Sequence, residues 1–294
     1  MTLSLSTASF GRFDRLSFVR RRPARAGLGG EHRSRRRAPS TDFVDYRPYQ
    51  PGDDFRRVDW NVYGRLDSLQ VKLTEGRERQ ELVLVLDTSA SMAWGEPDKL
   101  AFAAQTVAAL AYIGLARQDA VRLVCLGEAH AGRTRLGPLR GRQRLPELLR
   151  ALSGAQADGR VDLNAGLAEC LPADASQPLV VVVSDLLSPR GIEAGLEQLL
   201  KVQADAVVLQ VVSPQELEPT LAGELELIDA ETRDVLEVGL SLAALDAYRA
   251  RYRRWLAEQA SVCGAHGVRY VQLHTDRSLP SVVLDDLRRA GVLR

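Results

Sequence analysis

The pattern of apolar and polar residues predicts strands alternating with helices from residue 81 onward. Four short, nearly uninterrupted apolar runs are typical of strands covered on both faces, namely 82–86, 121–126, 179–184 and 206–212. Apolar residues at three- and four-residue spacings between these runs predict helices, the first near 99–117. Such alternation is typical of a mostly parallel sheet with helices on both faces. We therefore expect an α/β fold of Rossmann-like architecture.

The remaining segments predict a division of the chain into three parts. Two short alternating runs around the polar residues 229–232 predict a β-hairpin inserted near 223–239. Residues 41–80 are dense in turn and charge signals and hold one expected strand, 69–74. We predict a basic, poorly structured arm (1–40), a small irregular segment with short strands (41–80) and a main α/β domain (81–294).

Charge is unevenly distributed along the chain. The formal net charge is only +1, but residues 11–40 contain ten arginines against Asp14 and Glu31. Such a block could contact nucleic acid or an anionic membrane surface, or simply be a solvated arm. No zinc-finger, RNA-recognition or helix-turn-helix pattern is present, so we expect no nucleic-acid partner and leave a peripheral membrane contact open.

Hydropathy and cysteine usage predict a cytoplasmic protein. No apolar run approaches the roughly 18 residues that would predict a transmembrane segment, and the first residues do not form a clean signal peptide. Cys125, Cys170 and Cys263 are odd in number and widely spaced, which excludes metal-ligand spacing such as C-x-x-C. Cys125 lies in an apolar run, and we interpret it as a core residue.

Candidate chemistry is concentrated where two buried strands end. The loop after the first strand reads Asp87-Thr88-Ser89-Ala90-Ser91, and Asp185 follows the third strand. Parallel strands deliver such residues to the same edge of a sheet. Carboxylate and hydroxyl oxygens suit Mg²⁺, Mn²⁺ or Ca²⁺. The alternatives are that the two serines cap a turn and that Asp185 caps the next helix.

Enzymatic interpretations of this loop are weaker. A haloacid dehalogenase-type phosphatase would need a second aspartate two residues after Asp87, where this chain has Ser89. A serine hydrolase would need a G-x-S-x-G elbow and a late histidine, and the chain has no such elbow. We therefore expect no enzymatic activity, with a cryptic metal-dependent phosphatase or nuclease using Asp87 and Asp185 as the remaining enzymatic alternative.

Two motifs together resemble a known family. The D-x-S-x-S loop with a strand-end aspartate is similar to the metal-ion-dependent adhesion site of von Willebrand factor A domains. The preceding stretch, Tyr46-Arg47-Pro48-Tyr49-Gln50-Pro51-Gly52-Asp53-Asp54 with Arg56-Arg57-Val58-Asp59-Trp60, resembles the hallmark of the bacterial family called domain of unknown function 58. The resemblance extends from about residue 40 to the C-terminal end of the sequence.

This resemblance implies a fold, a metal site and a partner. It implies a von Willebrand factor A-like fold and a non-enzymatic adaptor that works with a MoxR-type AAA+ ATPase in protein maturation, metal loading or complex assembly. It implies Asp87, Ser89, Ser91 and Asp185 as metal ligands. The family's threonine ligand aligns with Val161, which has no oxygen to offer, so that Asp162 or water would have to replace it. A metal-free scaffold with a degenerate site is therefore the alternative.

Two regions are candidates for partner binding. A bound metal would keep an open position for an acidic residue of a partner. Trp94, beside the loop, is interpreted either as an aromatic anchor or as partly buried against the following helix. Asp53, Asp54, Arg56 and Arg57 form either a second partner surface or a turn with internal ion pairs.

Overall fold

The computed structural model describes residues 10–21, 43–51, 53, 55–74, 80–127, 134–171, 177–220 and 223–294. It divides into two units, the larger comprising residues 1–24 and 80–294 and the smaller residues 25–79. Asp54 lies outside the described residues, and so does the side chain of Arg57.

The small unit is a two-stranded antiparallel ribbon with one short helix. Strands β1 (Phe43–Pro48) and β2 (Gln70–Thr74) pair so that Tyr46 lies opposite Lys72. Helix α1 (Trp60–Leu66) begins where the Asp59 carboxylate accepts hydrogen bonds from two backbone N–H groups of its first turn.

The large unit is built on a six-stranded sheet whose strand order is β10-β7-β6-β3-β4-β5. Its strands are β3 (Glu81–Asp87), β4 (Ala120–Leu126), β5 (Thr134–Leu139), β6 (Leu179–Ser184), β7 (Asp205–Val212) and β10 (Arg269–His274). All neighbouring pairs are parallel except β4 and β5 at one edge. The predicted fold class, a mostly parallel sheet with helices on both faces, is confirmed.

Helices cover both faces of the sheet because each central strand is apolar on both sides. Leu82, Leu84 and Leu86 point to one buried cluster and Val83 and Val85 to the other. The helices of the large unit are α2 (Lys99–Ala116), α3 (Leu145–Ser153), α4 (Leu163–Cys170), α5 (Glu193–Lys201), α6 (Pro214–Leu217), α7 (Leu242–Ala265), α8 (Leu279–Ser281) and α9 (Leu287–Arg289), with a π-helical turn Val282–Asp286 before the last.

Helix α2 is the most buried helix and lies in the same cluster as the leucines of β3. Within the described ranges it alone is long and apolar enough to cross a membrane by length and composition. Most of it is buried inside the protein. Its apolar character is therefore accounted for by packing in the core, where a helix that is hydrophobic on all sides belongs.

Residues 10–21 differ from the expectation of an irregular arm through residue 40. Phe10, Phe13, Leu16 and Phe18 are buried in the core cluster of the large unit. Phe10 stacks on Tyr112 of α2 with ring centroids 4.7 Å apart. The arginines of this stretch suggest a solvated arm, but its apolar side chains bury enough surface to order it.

The hairpin expected near 223–239 consists of β8 (Gly223–Ile228) and β9 (Val235–Leu240), which pair antiparallel. Asp229 accepts hydrogen bonds from the backbone N–H groups of Glu231 and Thr232 and so closes the turn between the strands.

Candidate functional site

The candidate site lies at the carboxyl edge of the sheet, where β3 and its neighbour β6 end. Asp87 is the last residue of β3 and Ser184 the last of β6. The Ser184 hydroxyl donates a hydrogen bond of 2.5 Å to Asp87 Oδ2, and this bond joins the two strand ends. Asp185 follows directly, so that the structure brings the two strand-end aspartates to one edge, as the spacing of the strands predicts.

The loop after β3 is held by its own polar groups. The Ser89 N–H donates to Asp87 Oδ1 at 2.9 Å, and the Ser89 and Ser91 hydroxyl oxygens are 3.0 Å apart. Ser89 stands before a 3₁₀ turn (Ala90–Ala93), but its side chain makes no capping hydrogen bond. The capping alternative for Ser89 therefore has no support, and the three oxygen-bearing side chains of the motif form one group.

Hydrogen bonds to backbone carbonyl groups of two neighbouring segments anchor this loop to its surroundings. The Ala90 N–H donates to the Gly159 carbonyl oxygen at 3.0 Å, and the Thr88 hydroxyl donates to the Leu126 carbonyl oxygen at 2.6 Å. The first contact reaches the loop that precedes α4, and the second reaches the end of β4. The loop is thus fixed from both sides before any ligand binds.

The buried position of Asp87 changes its acidity. Burial and the nearby negative charge of Asp185 raise the pKa of Asp87 from 3.8 to about 6, while hydrogen bonds from Ser184 and Ser89 oppose the rise. Its negative charge is therefore incompletely compensated by the protein.

A buried lysine that the sequence reasoning missed contacts the other aspartate. Lys99, the first residue of α2, has no exposed side-chain surface. Its Nζ lies 2.8 Å from Asp185 Oδ2 and 2.5 Å from Glu216 Oε1 on α6. One signal could have revealed it. Lys99 occupies the helix face of Ala103, Thr106 and Leu110, and a lysine on a buried face needs a partner.

The two carboxylates keep this lysine charged. Burial acts to lower the pKa of Lys99, but the charges and hydrogen bonds of Asp185 and Glu216 outweigh burial and raise it above the ordinary value of 10.5. Glu216 Oε2 accepts hydrogen bonds from the Ser213 N–H at 2.9 Å and from the Tyr252 hydroxyl at 3.3 Å. Burial and the charge of Glu216 in turn raise the pKa of Tyr252.

The loop before α4 does not supply the remaining ligands implied by the resemblance. Val161 is buried in the hydrophobic cluster. Asp162 is the N-cap of α4, and its Oδ1 accepts hydrogen bonds from the Asn164 and Ala165 N–H groups. Its Oδ2 accepts from Arg190 Nη1 at 2.9 Å. Asp162 therefore serves a helix end and an arginine.

The described side chains do not fit the metal site that the resemblance implies. Asp87, Ser89 and Ser91 are grouped, but Asp185 is bound by a lysine and Val161 has no donor atom. Within the described part of the chain, no group of three or more His, Cys, Asp and Glu side chains is arranged to hold a metal ion. Asp185 does not act as a helix cap either. The N-cap of the next helix, α5, is Ile192, and Asp185 Oδ1 accepts instead from the Leu187 N–H.

Trp94 ends the loop and is 52% exposed, so about half of its surface is open to solvent. It lines two concavities. One, of about 350 Å³, extends to Gln215 and Pro219. The other, of about 300 Å³, extends to Asp158 and to Arg233 in the turn of the hairpin. The site thus presents an aromatic side chain between two clefts.

The hallmark segment of the small unit is stabilised by an internal ion pair and by a hydrogen bond between side chains. Arg47 donates two hydrogen bonds, 2.7 and 2.6 Å long, to the Asp53 carboxylate. The Tyr46 hydroxyl donates to Asp59 Oδ2 at 2.8 Å. This geometry favours the turn interpretation for Asp53, while Arg56 is exposed at the surface.

Comparison with known proteins gives a family match over most of the chain. The family model described as "Protein of unknown function DUF58" matches residues 45–262. The uncharacterised proteins Rv1480 of Mycobacterium tuberculosis and Mb1516 of Mycobacterium bovis are each 28% identical over 255 residues, which is 85% of this chain and 80% of theirs.

Solved structures that are similar to this one have low sequence identity. BatB from Bacteroides thetaiotaomicron is 13% identical with a TM-score of 0.42, over 72% of this chain and 98% of BatB. A von Willebrand factor type A protein from Catenulispora acidiphila is 12% identical with a TM-score of 0.36, over 76% of this chain and 43% of that one.

Proposed function

Since the chain belongs to the DUF58 family, we propose that it is a non-enzymatic protein-interaction module that binds its partner at the carboxyl edge of the sheet. The observation that carries the proposal is the half-exposed Trp94 between two clefts, at the end of a loop fixed by hydrogen bonds. Exposed aromatic side chains beside concavities are typical anchors of protein interfaces, and a rigid loop loses little conformational entropy on binding.

The charged groups of this edge support binding in preference to catalysis. Asp185 is paired with a buried lysine, and Asp87 accepts hydrogen bonds on both of its oxygens. A nucleophile or general base must reach a substrate, and both carboxylates are almost fully buried.

The proposed partner is a MoxR-type AAA+ ATPase, as the family resemblance suggests. We expect purified MoxR-type ATPase to bind the full chain, and Trp94→Ala to weaken that binding at least about tenfold, as expected for an interface anchor. The measurement is biolayer interferometry with immobilised protein, with circular dichroism to verify the fold of each variant.

Trp60→Ala is the matched control, because Trp60 is a similarly exposed tryptophan in the small unit, at 59%. We expect it to leave affinity unchanged. Loss of binding in Trp60→Ala with retention in Trp94→Ala would contradict the proposed surface and favour the hallmark segment with Arg56 and Arg57.

A divalent-metal-dependent contact is the second candidate. It is favoured by the grouped oxygens of Asp87, Ser89 and Ser91 and by the raised pKa of Asp87. In this form Mg²⁺, Mn²⁺ or Ca²⁺ would supply an open coordination position for an acidic residue of the partner. Partner binding that is lost in EDTA, restored by Mg²⁺ and absent in Asp87→Ala would establish this form.

A further inference from the structure

We infer that the Lys99 ammonium group takes the place of a divalent metal as the counter-charge of the carboxylates at this edge, so that the site assembles without a metal ion. The inference concerns the same edge of the sheet as the proposed function but does not depend on any partner. Partner binding and the role of Lys99 can therefore be disproved independently of each other.

The position of the ammonium group is the first argument. Lys99 Nζ makes one contact of 2.8 Å to Asp185, at the end of β6, and one of 2.5 Å to Glu216 on α6. Its side chain has no exposed surface, and those of its partners have 2% and 10%. The positive charge of a lysine so enclosed is stable only when carboxylates pair with it, and Asp185 and Glu216 are those carboxylates.

The carboxylate oxygens are the second argument. Asp185 Oδ1 accepts from the Leu187 N–H at 3.1 Å, and its Oδ2 accepts from Lys99. Both oxygens of Glu216 are likewise engaged, one by Lys99 and the other by the Ser213 N–H and the Tyr252 hydroxyl. A metal ion at Asp185 would have to displace a buried cation from its two acidic partners.

The remaining donors are the third argument. With Asp185 neutralised, the loop offers one carboxylate, Asp87, and the two hydroxyl groups of Ser89 and Ser91. Val161 adds no oxygen, and Asp162 is engaged by α4 and Arg190. One carboxylate with two neutral hydroxyls supplies a single negative charge and at most four of the oxygens around Mg²⁺, so that water would have to complete its near-octahedral coordination.

The lysine also connects several elements of the large unit. From α2 it reaches the end of β6 and α6, and Glu216 continues the contact to α7 through Tyr248, whose hydroxyl donates to the Glu216 carbonyl oxygen at 3.1 Å. Lys99 therefore joins α2, the end of β6 and α6 as part of the fold itself.

The test is a titration of the metal-free full chain with Mn²⁺ and Mg²⁺, followed by isothermal calorimetry and by the thermal unfolding midpoint. We expect no binding tighter than about millimolar. We also expect the same midpoint in EDTA and in Mn²⁺. Submillimolar Mn²⁺ binding by the wild type that Asp87→Ala removes would overturn the inference, and this comparison needs no change at Lys99.

Lys99→Met supplies the positive half of the test. It removes the ammonium group and keeps the length of the side chain. We expect a lower midpoint than the wild type and a rise in that midpoint on adding Mn²⁺, since Asp185 and Glu216 have lost their cation. The matched control is Lys201→Met, because Lys201 is an exposed lysine at the end of α5.

We expect Lys201→Met to behave as the wild type in both conditions. A Lys99→Met protein that folds with the wild-type midpoint and does not respond to Mn²⁺ would contradict the assigned role of Lys99. If Lys99→Met does not fold, the wild-type and Asp87→Ala titrations decide the question alone.

Discussion

Asp119 is a buried carboxylate whose ionisation opposes folding. It precedes β4, is 9% exposed, and accepts a hydrogen bond of 3.3 Å from the Gln80 N–H. Burial raises its pKa from 3.8 to about 6, even though that hydrogen bond and the charges of Arg117 and Arg140 act to lower it. Asp119 is not part of the proposed binding site, so we expect its titration to affect the free energy of unfolding alone.

The sign of the pH dependence follows from proton linkage. Between pH 4 and pH 6 the folded protein binds more protons at Asp119 than the unfolded chain does, so this residue's contribution to stability falls as pH rises through that range. The difference between about 6 and 3.8 corresponds to at most about 3 kcal/mol. The loss is complete above the folded pKa.

Asp119→Asn is therefore expected to stabilise the protein at pH 7.5 and to stabilise it much less at pH 4.5. Asparagine keeps an acceptor for the Gln80 N–H and never ionises. Urea denaturation of wild type and variant at both pH values measures the difference in their free energies of unfolding. The contributions of other titrating groups, such as Asp87, are the same in both proteins and cancel in this difference. An equal difference at the two pH values would contradict the role assigned to Asp119.

Asp229→Asn is the control for this experiment. Asp229 is exposed in the hairpin turn, and hydrogen bonds from the Thr232 and Glu231 N–H groups lower its pKa. Its contribution to stability is lost as pH falls, which is the opposite direction. A result in which both variants move stability the same way between pH 4.5 and 7.5 would show that the buried position of Asp119 is not the cause.

At the scale of elements, helix α2 depends on a close approach to the sheet at Gly114. A Cβ added there would lie 2.9 Å from a methyl carbon of Leu82 on β3 and 2.9 Å from one of Val121 on β4. Both residues are fully buried and cannot move freely. The helix therefore requires a residue without a side chain at this turn.

Gly114→Ala is expected to destabilise the protein by about 1–2 kcal/mol. Alanine gains up to about 1 kcal/mol of helix propensity, but overpacking a well-filled core costs typically 1–3 kcal/mol. Gly264→Ala in α7 is the matched control, because a Cβ at Gly264 meets nothing within 4 Å. It should be neutral or stabilising, and equal unfolding free energies for the two variants would exclude the steric explanation.

The elements and the site differ in how well the sequence predicts them. The buried strands were predictable because β3, β6 and β7 each contain a nearly uninterrupted apolar run. Asp87 and Asp185 were placed correctly at one edge because parallel strands end together. The role of Lys99 was not predictable, because the apolar residues around it are enough to predict the helix and give no sign of a buried charge. Only the folded chain brings it to Asp185 and Glu216, which are 86 and 117 residues away.

Asp162 illustrates the same limit from the other direction. An aspartate at this position has the right chemistry for a metal ligand. In the structure, however, Asp162 stands one residue before α4 and its carboxylate accepts hydrogen bonds from two N–H groups at the start of the helix. Sequence alone does not distinguish a capping aspartate from a metal-binding one when both follow a loop, because the choice depends on what else reaches the carboxylate, here Arg190.

At the scale of the whole molecule, the large unit joins residues far apart in the chain. Residues 17–19 exchange backbone hydrogen bonds with Val292 and Arg294, and Phe18 bridges to Leu293. The Arg269 guanidinium donates to the Val19 and Gly291 carbonyl oxygens and to Asp205 Oδ2. The segment 10–21 is thus part of the fold, and Phe13, with no exposed surface, is its most buried residue.

Phe13→Ala is expected to lower the free energy of unfolding of the large unit by about 3–5 kcal/mol, the usual cost of removing a buried phenylalanine. Against a typical total of 5–15 kcal/mol, that loss is large enough to shift the urea midpoint strongly. The control is Phe55→Ala, since Phe55 is 62% exposed in the small unit, and it should change the same transition by less than about 0.5 kcal/mol. Equal effects of the two substitutions would mean that residues 10–21 contribute nothing to the core and behave as the solvated arm that their arginines suggest.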